Sequence, residues 1–401
     1  KPSYLNHLLP LKTERPRCKF PETSYQVPKT SIVIPLPGTK ISIHPGEEST
    51  LFSRSYSDTE ALLSLHRFAW IERLEAGPNP DWINLIWCAW KKKFRTVDKS
   101  WAWHPYTASE RAINIINFAL EFGLPKPVEG SLNFLAAHVP AILNRLEYFG
   151  DHYTSNHLAN NGRALFIIGL ELGMPKATEI GSKILVEEAK RIFLDSGILR
   201  EGSTHYHLLL TKNFLSALKV AQKFQHPIKK ELEVITKRAL SAIPYLMLSA
   251  GIPLIGDISP DMPCKKLISD LGLCFDSVPV NLLLTNKDGW LRHKHKNWDG
   301  LWYSAPGGLP PMPGHGHQDS GSFEIHYSNE RLFIDVGRGT YEQTTDAEFD
   351  VSALSHNSLT VDLKDPFPQN RPYYDEDFRK NIVGGEPILR SIERGVELEH
   401  Y

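Results

Sequence analysis

One segment of the chain, residues 200–207, combines a tyrosine with groups that could make it a base. Gly202 and Ser203 are typical of a turn and a helix N-cap, so Tyr206 is predicted in the first helical turn. A free tyrosine has a pKa of ~10 and is a poor base, but a helix N-terminus and nearby cations lower it. The candidate cations are Arg200, His205 and His207. The pattern favours acid–base chemistry at Tyr206, although a packed aromatic beside exposed histidines has the same pattern.

A second segment, residues 156–161, is rich in asparagine at a predicted helix start. Asn156, Asn160 and Arg163 are three or four residues apart and therefore share one helix face. Neutral amides beside an arginine can hold an anionic oxygen or a sugar hydroxyl. An asparagine at this position can equally be an N-cap, so both interpretations stay open.

Two histidines alternate at His315 and His317, and in an extended segment their rings point to opposite faces. Asp335 and His356 follow further along the chain. Two imidazoles and one carboxylate suit zinc, so His317, Asp335 and His356 could hold the metal while His315 faces a substrate. Because these residues are far apart in sequence, only the fold can bring them together.

The composition disfavours several classes of protein. The 401 residues carry 45 Lys+Arg against 46 Asp+Glu, whereas a generic nucleic-acid binder usually has a basic excess. No apolar run approaches the ~18 residues of a membrane span. The four cysteines form no Cys-x-x-Cys pair, so neither a disulfide scaffold nor a cysteine zinc site is expected.

Helical periodicity dominates the middle of the chain and is interrupted at Gly and Pro. Helices are predicted over residues 59–76, 82–94, 107–122, 131–149, 155–172, 177–195, 204–224 and 228–250. A polar connection follows, containing Trp290, Trp298 and Trp302. Alternating apolar and polar residues then predict antiparallel strands over residues 322–327, 331–336 and 358–362. Helices followed by strands indicate segregated α and β domains.

We therefore predict an irregular arm over residues 1–55, a helical domain over 56–285 and an antiparallel β domain over 286–401. Helices that bury faces against both neighbours form a solenoid or a closed toroid, which periodicity does not separate. The chain begins at Lys1 and ends in a strand-like segment. We therefore expect a longer natural protein and an incomplete β domain, with a periplasmic or secreted location favoured and a cytoplasmic one left open.

Taken together, these segments resemble the heparinase II/III-like polysaccharide lyases. The resemblance is most specific in the β region, at residues 315–319, 322–323, 332–337, Tyr341 and 355–357. Weaker matches lie upstream, at Asn156, residues 201–203 and Tyr206.

The resemblance implies an (α/α) toroid followed by an antiparallel β-sandwich, and cleavage of a uronic-acid polysaccharide by β-elimination. It implies that Asn156 neutralises the uronate carboxylate, Tyr206 abstracts the C5 proton and His315 assists. It also implies a mainly structural metal, expected to be zinc, on His317, Asp335 and His356. An anionic polymer needs polar and cationic partners in its cleft. The candidates are Arg111, Asn160, Arg163, Arg200, His205 and Arg338.

Two other functions stay open from the sequence. A glycoside hydrolase would need two carboxylates flanking the bond, and no pair stands out among Glu110, Glu201 and Asp257. A non-catalytic carbohydrate-binding or capsule-assembly protein could use the same fold. The identity of the polymer, endo or exo action and the oligomeric state are not indicated.

Overall fold

The computed structural model describes residues 1–8, 14–150, 153–272, 281–305, 315–342, 344–366 and 387–399. It divides into two compact units. Unit 1 comprises Lys1–Phe149, Asn156–Glu188 and Val220–His226, and unit 2 comprises Gly150–Ser155, Ala189–Lys219 and Pro227–Tyr401. These units do not follow the predicted domain bounds, which therefore stay a prediction.

Unit 1 is mainly helical around an aromatic core. Its helices are α1 (Thr59–Arg67), α2 (Pro80–Lys93), α3 (Pro105–Phe122), α4 (Val128–Ala136), α5 (His138–Leu143), α6 (Asn156–Glu171) and most of α7 (Pro175–Ile192). Helix α3 packs against α1, α5 and α6. In the core the ring of Trp90 lies 5.8 Å from that of Trp87 and 5.5 Å from that of Trp103. Aromatic burial of this kind supplies much of the stability of a helical domain.

Helix α1 is shorter than predicted. It begins at the N-cap Asp58, whose side chain accepts a hydrogen bond from the backbone N–H of Glu60 at 2.7 Å. It ends at Phe68, which adopts a left-handed backbone with φ 57° and starts the 3₁₀ helix Ala69–Arg73. The ring of Phe68 is fully buried, so side-chain packing offsets the cost of that backbone. The prediction of one helix over residues 59–76 is wrong beyond Arg67, and that of a helix over residues 131–149 is wrong in its last turns, since α5 ends at Leu143.

The residues before α1 contribute to the same core. Strands β1 (Glu22–Thr23) and β4 (Leu124–Pro125) pair in parallel, and β2 (Ile32–Leu36) and β3 (Thr39–Ile43) form a hairpin. Alternate hairpin residues are buried with the helices: Ile32, Ile34, Leu36, Ile41 and Ile43. The N-terminal segment is thus partly regular, as the alternation of its apolar residues would favour.

Helices α6 and α7 approach each other closely in unit 1, because glycines face each other at the contact. A Cβ added at Gly181 would lie 2.7 Å from the carbonyl oxygen of Gly162, and closer still to the backbone nitrogen of Phe166. Real Cβ atoms do not come this near to backbone atoms, so this contact requires glycine.

Unit 2 combines helices with antiparallel strands. Its helices are most of α8 (Thr204–Lys223), α9 (Lys229–Leu246), α10 (Cys264–Leu271), α11 (Leu282–Lys287) and α12 (Thr345–Val351). Strands β5 (Trp290–His295), β6 (Trp298–Tyr303), β7 (Phe323–Tyr327) and β8 (Glu330–Phe333) form one antiparallel sheet in chain order. Strands β9 (Ile388–Ile392) and β10 (Gly395–Glu399) form a separate hairpin.

Two predictions for unit 2 are wrong, one of a connection and one of a strand. The polar connection containing Trp290, Trp298 and Trp302 is in fact strands β5 and β6, which pair in register from Trp290 opposite Tyr303. The strand predicted over residues 358–362 is absent. Only an isolated bridge joins Val361 to Lys364 there, because Asp362 and its neighbour have positive φ and turn the chain.

Within the residues that the structure describes, no helix combines the length and the apolar content that crossing a bilayer would require.

Candidate active site

Tyr206 lies in the first turn of α8, as predicted. Ser203 is the N-cap, and its Oγ accepts a hydrogen bond from the backbone N–H of Tyr206 at 2.9 Å. Gly202 precedes it with φ 69°, at a point where a Cβ would overlap the ring of Tyr303. The sequence signals for a turn followed by an N-cap are therefore confirmed.

A loop over residues 253–259, here called the acid loop, is hydrogen-bonded to this first turn. The backbone N–H of Thr204 donates to the carbonyl of Ile255 at 3.1 Å. The hydroxyl of Ser203 donates to the carbonyl oxygen of Asp257 at 2.6 Å. The start of α8 and the acid loop are therefore fixed to each other, and Asp257 is held near Tyr206.

The Asp257 carboxylate is fully buried and accepts several hydrogen bonds. Its Oδ2 lies 2.5 Å from Nδ1 of His315 and 2.6 Å from the hydroxyl of Tyr341. Its Oδ1 accepts from the backbone N–H of Ile258 at 3.0 Å and lies 3.7 Å from Nη1 of Arg338. These contacts make Asp257 the common partner of groups from three separate parts of the chain.

Asp257 and His315 form an ion pair. Burial alone raises the pKa of Asp257, but hydrogen bonds and charges from His315 and His317 outweigh it, so the pKa falls well below its ordinary value. Burial alone lowers the pKa of His315, but Asp257 outweighs it and the net shift is upward. The carboxylate is therefore ionised, and the imidazole favours its protonated form.

Tyr206 belongs to the same cluster. Its hydroxyl oxygen lies 3.1 Å from that of Tyr341, and its ring meets the ring of His315 edge-on at 5.0 Å between centroids. The guanidinium of Arg338 stacks over the ring of Tyr341 at 3.8 Å. The fold thus brings together Tyr206 and His315, which the sequence analysis selected separately.

The predicted metal residues also lie together. Nδ1 of His317 is 3.1 Å from Nε2 of His356, and Nδ1 of His356 is 3.0 Å from Oδ1 of Asp335. All three side chains are buried. The contacts run in series from His317 to His356 to Asp335. In the described part of the chain, no three His, Cys, Asp or Glu side chains surround one point as metal ligands would.

The predicted amide cluster lies in unit 1, along α6. Asn156 is the first residue of the helix and is buried. One turn later, Nη1 of Arg163 donates to Oδ1 of Asn160 at 3.0 Å and to Oε1 of Glu110 at 2.9 Å. Asn160 and Arg163 therefore share a face, as their spacing predicted.

A buried acid, which the sequence analysis did not select, holds the neighbouring polar residues of unit 1. The carboxylate of Glu147 lies 2.7 Å from Nδ1 of His157, 3.0 Å from Nδ2 of Asn161 and 3.6 Å from Nε2 of His104. Burial alone raises the pKa of Glu147, but these histidines and the amide outweigh it and lower the pKa. The surrounding sequence carries no motif that marks Glu147.

The prediction that Arg111 contacts a substrate is wrong. Its side chain is fully buried in the core of unit 1, with the guanidinium 3.8 Å from the ring of Trp90. It donates to Nε2 of His138 at 3.1 Å and to the carbonyl of Ala102 at 2.6 Å. Arg111 is a packed cation of the aromatic core, and no surface of it is left for a ligand.

The prediction that His205 and His207 supply positive charge or substrate contacts is also wrong. Both rings are buried, and in each Nδ1 accepts a backbone N–H while Nε2 faces a carbonyl. Burial lowers both pKa values, that of His207 to about 4. Both are therefore neutral anchors of α8. Arg200 is half-buried and donates to the carbonyl of Thr154 at 2.9 Å, which leaves its predicted role untested.

Two family models match the chain. One is described as Heparinase II/III N-terminus and matches residues 58–248, and the other as Heparinase II/III-like, C-terminal, and matches residues 284–380. Together they cover well over half of the chain. The chain belongs to the heparinase II/III-like family.

Solved structures support the same fold. A crystal structure of heparinase III matches with 16% identity and a TM-score of 0.60, covering 87% of this chain and 60% of that one. The heparinase III BT4657 gene product matches with 18% identity and a TM-score of 0.54, covering 84% of this chain and 59% of that one. The chain therefore spans about 60% of the length of these structures. Among proteins with curated descriptions, none matches it.

This likeness confirms the predicted fold class, an (α/α) toroid followed by an antiparallel β domain.

Proposed function

We propose that this protein is a polysaccharide lyase that cleaves a uronic-acid-containing polysaccharide by β-elimination. The observation that carries the proposal is the cluster in which the hydroxyl of Tyr206 meets a second tyrosine and its ring meets His315, itself paired with a buried carboxylate. Family membership and the heparinase names of the matched structures support the same chemistry. The substrate class follows from these names and from the acidic C5 proton that elimination requires.

The phenolate of Tyr206 takes the C5 proton, the C4–O glycosidic bond breaks, and a double bond forms between C4 and C5. The departing oxygen then receives the proton from Tyr206. Because negative charge develops beside the uronate carboxylate, the reaction needs donors already aimed at it. We assign that role to the amide of Asn156, with His157, Asn160 and Asn161 as its alternatives, and the nearby positive charge to the imidazolium of His315.

Cations must also hold the anionic polymer. Arg163, Arg200 and Arg338 are the proposed contacts, together with the amide of Asn160. The guanidinium of Arg338 stacks on Tyr341, its side chain is 13% exposed, and its proposed partner is a sugar carboxylate or sulfate.

A structural zinc ion on His317, Asp335 and His356 is a further part of the proposal. The donor types fit zinc, and the side chains of His317, His356 and Asp335 contact one another in that order. Nε2 of His317 is buried and lies 3.8 Å from Oδ1 of Asp257. Binding would require His356 to exchange one of its present contacts for the metal. Such an ion would order the segment that carries His315.

Metal content tests this assignment without reference to activity. His317→Ala is expected to lower bound zinc and the melting temperature together, because a site that forms only on folding contributes its binding energy to stability. His295→Ala, at the end of β5, is the matched control and should keep the zinc content of the wild type. Equal zinc in both variants would contradict the assignment.

The hydrolase alternative has less support. A hydrolase needs one carboxylic acid that stays protonated, whereas the low pKa of Asp257 keeps it ionised and its oxygens are already occupied. Glu110 is paired with Arg163 in a different unit. Neither Asp257 nor Glu110 is therefore placed as a free proton donor.

The decisive experiment follows the ultraviolet absorbance of the new double bond over a panel of uronic-acid polysaccharides. The wild type should produce absorbing products, and Tyr206→Phe should lose at least ~100-fold in rate, since only the hydroxyl is removed. Tyr327→Phe, at the end of β7, is the matched control and should remain active. New reducing ends without absorbance would indicate a hydrolase, and binding without either product would indicate a carbohydrate-binding protein.

A further inference from the structure

Asp257 has no assigned role in the proposed reaction, yet it is the most connected side chain of the cluster. One of its carboxylate oxygens, Oδ2, receives both the imidazole of His315 and the hydroxyl of Tyr341, at 2.5 and 2.6 Å. The side chain is fully buried, so it cannot contact a polymer directly. Asp257 can therefore affect the reaction only by positioning the residues to which it is hydrogen-bonded, His315 and Tyr341.

Counting protons fixes the direction of the bond to Tyr206. The hydroxyl of Tyr341 faces two pure acceptors, the Asp257 carboxylate at 2.6 Å and the carbonyl of Ile258 at 3.2 Å. A phenol has a single proton, and here it goes to the carboxylate, the nearer and charged acceptor. While Tyr206 is neutral, the oxygen of Tyr341 therefore accepts a hydrogen bond from its hydroxyl at 3.1 Å, and Tyr206 must lose this proton before it acts as the phenolate of the proposed reaction.

The backbone keeps Asp257 at a fixed place relative to Tyr206. The hydroxyl of Ser203 accepts from the N–H of Tyr206 and donates to the carbonyl of Asp257. Gly256 has φ 77°, and a Cβ there would overlap the carbonyl oxygen of Gly202. Glycine therefore permits the acid loop to approach the helix start this closely.

The geometry points to Asp257 as the positioning residue of this site: it fixes the ring of His315 through Nδ1 and, through Tyr341, directs the hydroxyl of Tyr206. The inference rests on the proposed function, in which Tyr206 and His315 meet the substrate. Because Nδ1 of His315 is committed to Asp257, a contact of this ring with a sugar would be made through Nε2. Orientation of an imidazole by a buried carboxylate is a common device in enzymes.

Kinetics of four variants test the inference. Asp257→Asn should lower kcat by about 100-fold or more while KM changes by less than about 3-fold, because the residue orients reacting groups and does not bind substrate. Tyr341→Phe should lower kcat by about 10-fold. The double variant should match Asp257→Asn alone, because both changes break one chain of contacts.

Asp299→Asn is the matched control. Asp299 is also a buried acid of unit 2, bonded to Arg292 at 2.7 Å, and it lies on β6 outside the cluster. Its variant should lose stability and retain kcat. A wild-type kcat in Asp257→Asn, or losses in the double variant that multiply, would overturn the inference.

A spectroscopic measurement separates this inference from the proposed reaction. The proton between His315 and Asp257 should give a far-downfield resonance in the NMR spectrum of the wild type and of Tyr341→Phe. His315→Gln assigns it, and Asp257→Asn should abolish it. If no polysaccharide is cleaved but the resonance behaves in this way, the reaction is wrong and the positioning role of Asp257 stands. A resonance that persists in Asp257→Asn refutes the positioning role. If Asp257→Asn does not fold, the test is Tyr341→Phe, and a kcat equal to that of the wild type then refutes the role.

Discussion

Buried carboxylates in both units hold histidine side chains, and Glu147 and Asp257 are two of them. Glu147 lies 2.7 Å from His157, and Asp257 lies 2.5 Å from His315. In both, the histidine contacts outweigh the effect of burial and keep the acid ionised. A ring bonded to a buried acid has a fixed orientation, so each histidine can meet a ligand without first losing rotamer freedom.

The asparagines of α6 can be separated by mutation. Asn156→Ala should lower kcat for elimination by about 100-fold or more if its amide meets the charge that develops on the uronate. Asn160→Ala should mainly raise KM, since its oxygen is engaged by Arg163 and its loss disturbs a proposed substrate contact. Initial rates over a range of substrate concentrations give both constants. The reverse pattern would move the neutralising role to Asn160.

At the scale of elements, the close contact of α6 with α7 sets a limit on side-chain size. Gly181→Ala should lower the free energy of unfolding by about 1–3 kcal/mol, because the new Cβ meets backbone atoms that cannot turn away. Chemical denaturation measures the change.

Gly130→Ala is the control for that substitution. Gly130 lies in α4 with nothing within 4 Å of the added Cβ, so alanine should stabilise the protein by about 0.5–1 kcal/mol through helix propensity. Similar losses at both glycines would show that the α6–α7 contact is not the cause.

The sequence predicted some elements better than others, for physical reasons. The start of α8 was predictable because Gly202 and Ser203 are local signals for a turn and a cap. The break in α1 at Phe68 was not, because it depends on burial of that ring against Trp70 and against Trp87 of the next helix. Strands β5 and β6 were missed because polar residues interrupt their alternation on both faces.

At the scale of the whole molecule, several histidines are buried in the neutral form. Burial lowers the pKa of His66 to about 3 and that of His207 to about 4, against ~6.5 in an unfolded chain. Their hydrogen bonds agree, since Nδ1 of His66 accepts from Trp90 at 3.0 Å. Below pH ~6.5 these histidines become protonated in the unfolded chain but stay neutral in the folded protein.

Stability should therefore fall as the pH drops. The contribution of each such histidine is complete above pH ~6.5 and is lost towards its folded pKa, about 2 kcal/mol per residue by pH ~5. Urea unfolding at pH ~7.5 and ~5 measures the loss. The His207→Gln variant should be less stable than the wild type at pH ~7.5. Its free energy of unfolding should also fall by less than that of the wild type between pH ~7.5 and pH ~5. An equal loss in both proteins would contradict the buried neutral state of His207.

The candidate site shows where prediction from the sequence reaches its limit. Tyr206, His315 and the three residues proposed to bind zinc were selected from local patterns and a family resemblance. Asp257 was noted only as one available carboxylate, because its partners His315 and Tyr341 are 58 and 84 residues away. A loop sequence carries no signal for contacts over such separations, which arise only when the chain is folded.

The close approach of the acid loop to the start of α8 has a consequence for genetics. Gly202 and Gly256 carry no reactive group, yet an added Cβ at either would overlap its neighbours. A random-mutagenesis screen for loss of activity should therefore recover substitutions at these two glycines as often as at Tyr206. Such a screen would then score Gly202 and Gly256 as essential for activity, although their only contribution is the absence of a side chain.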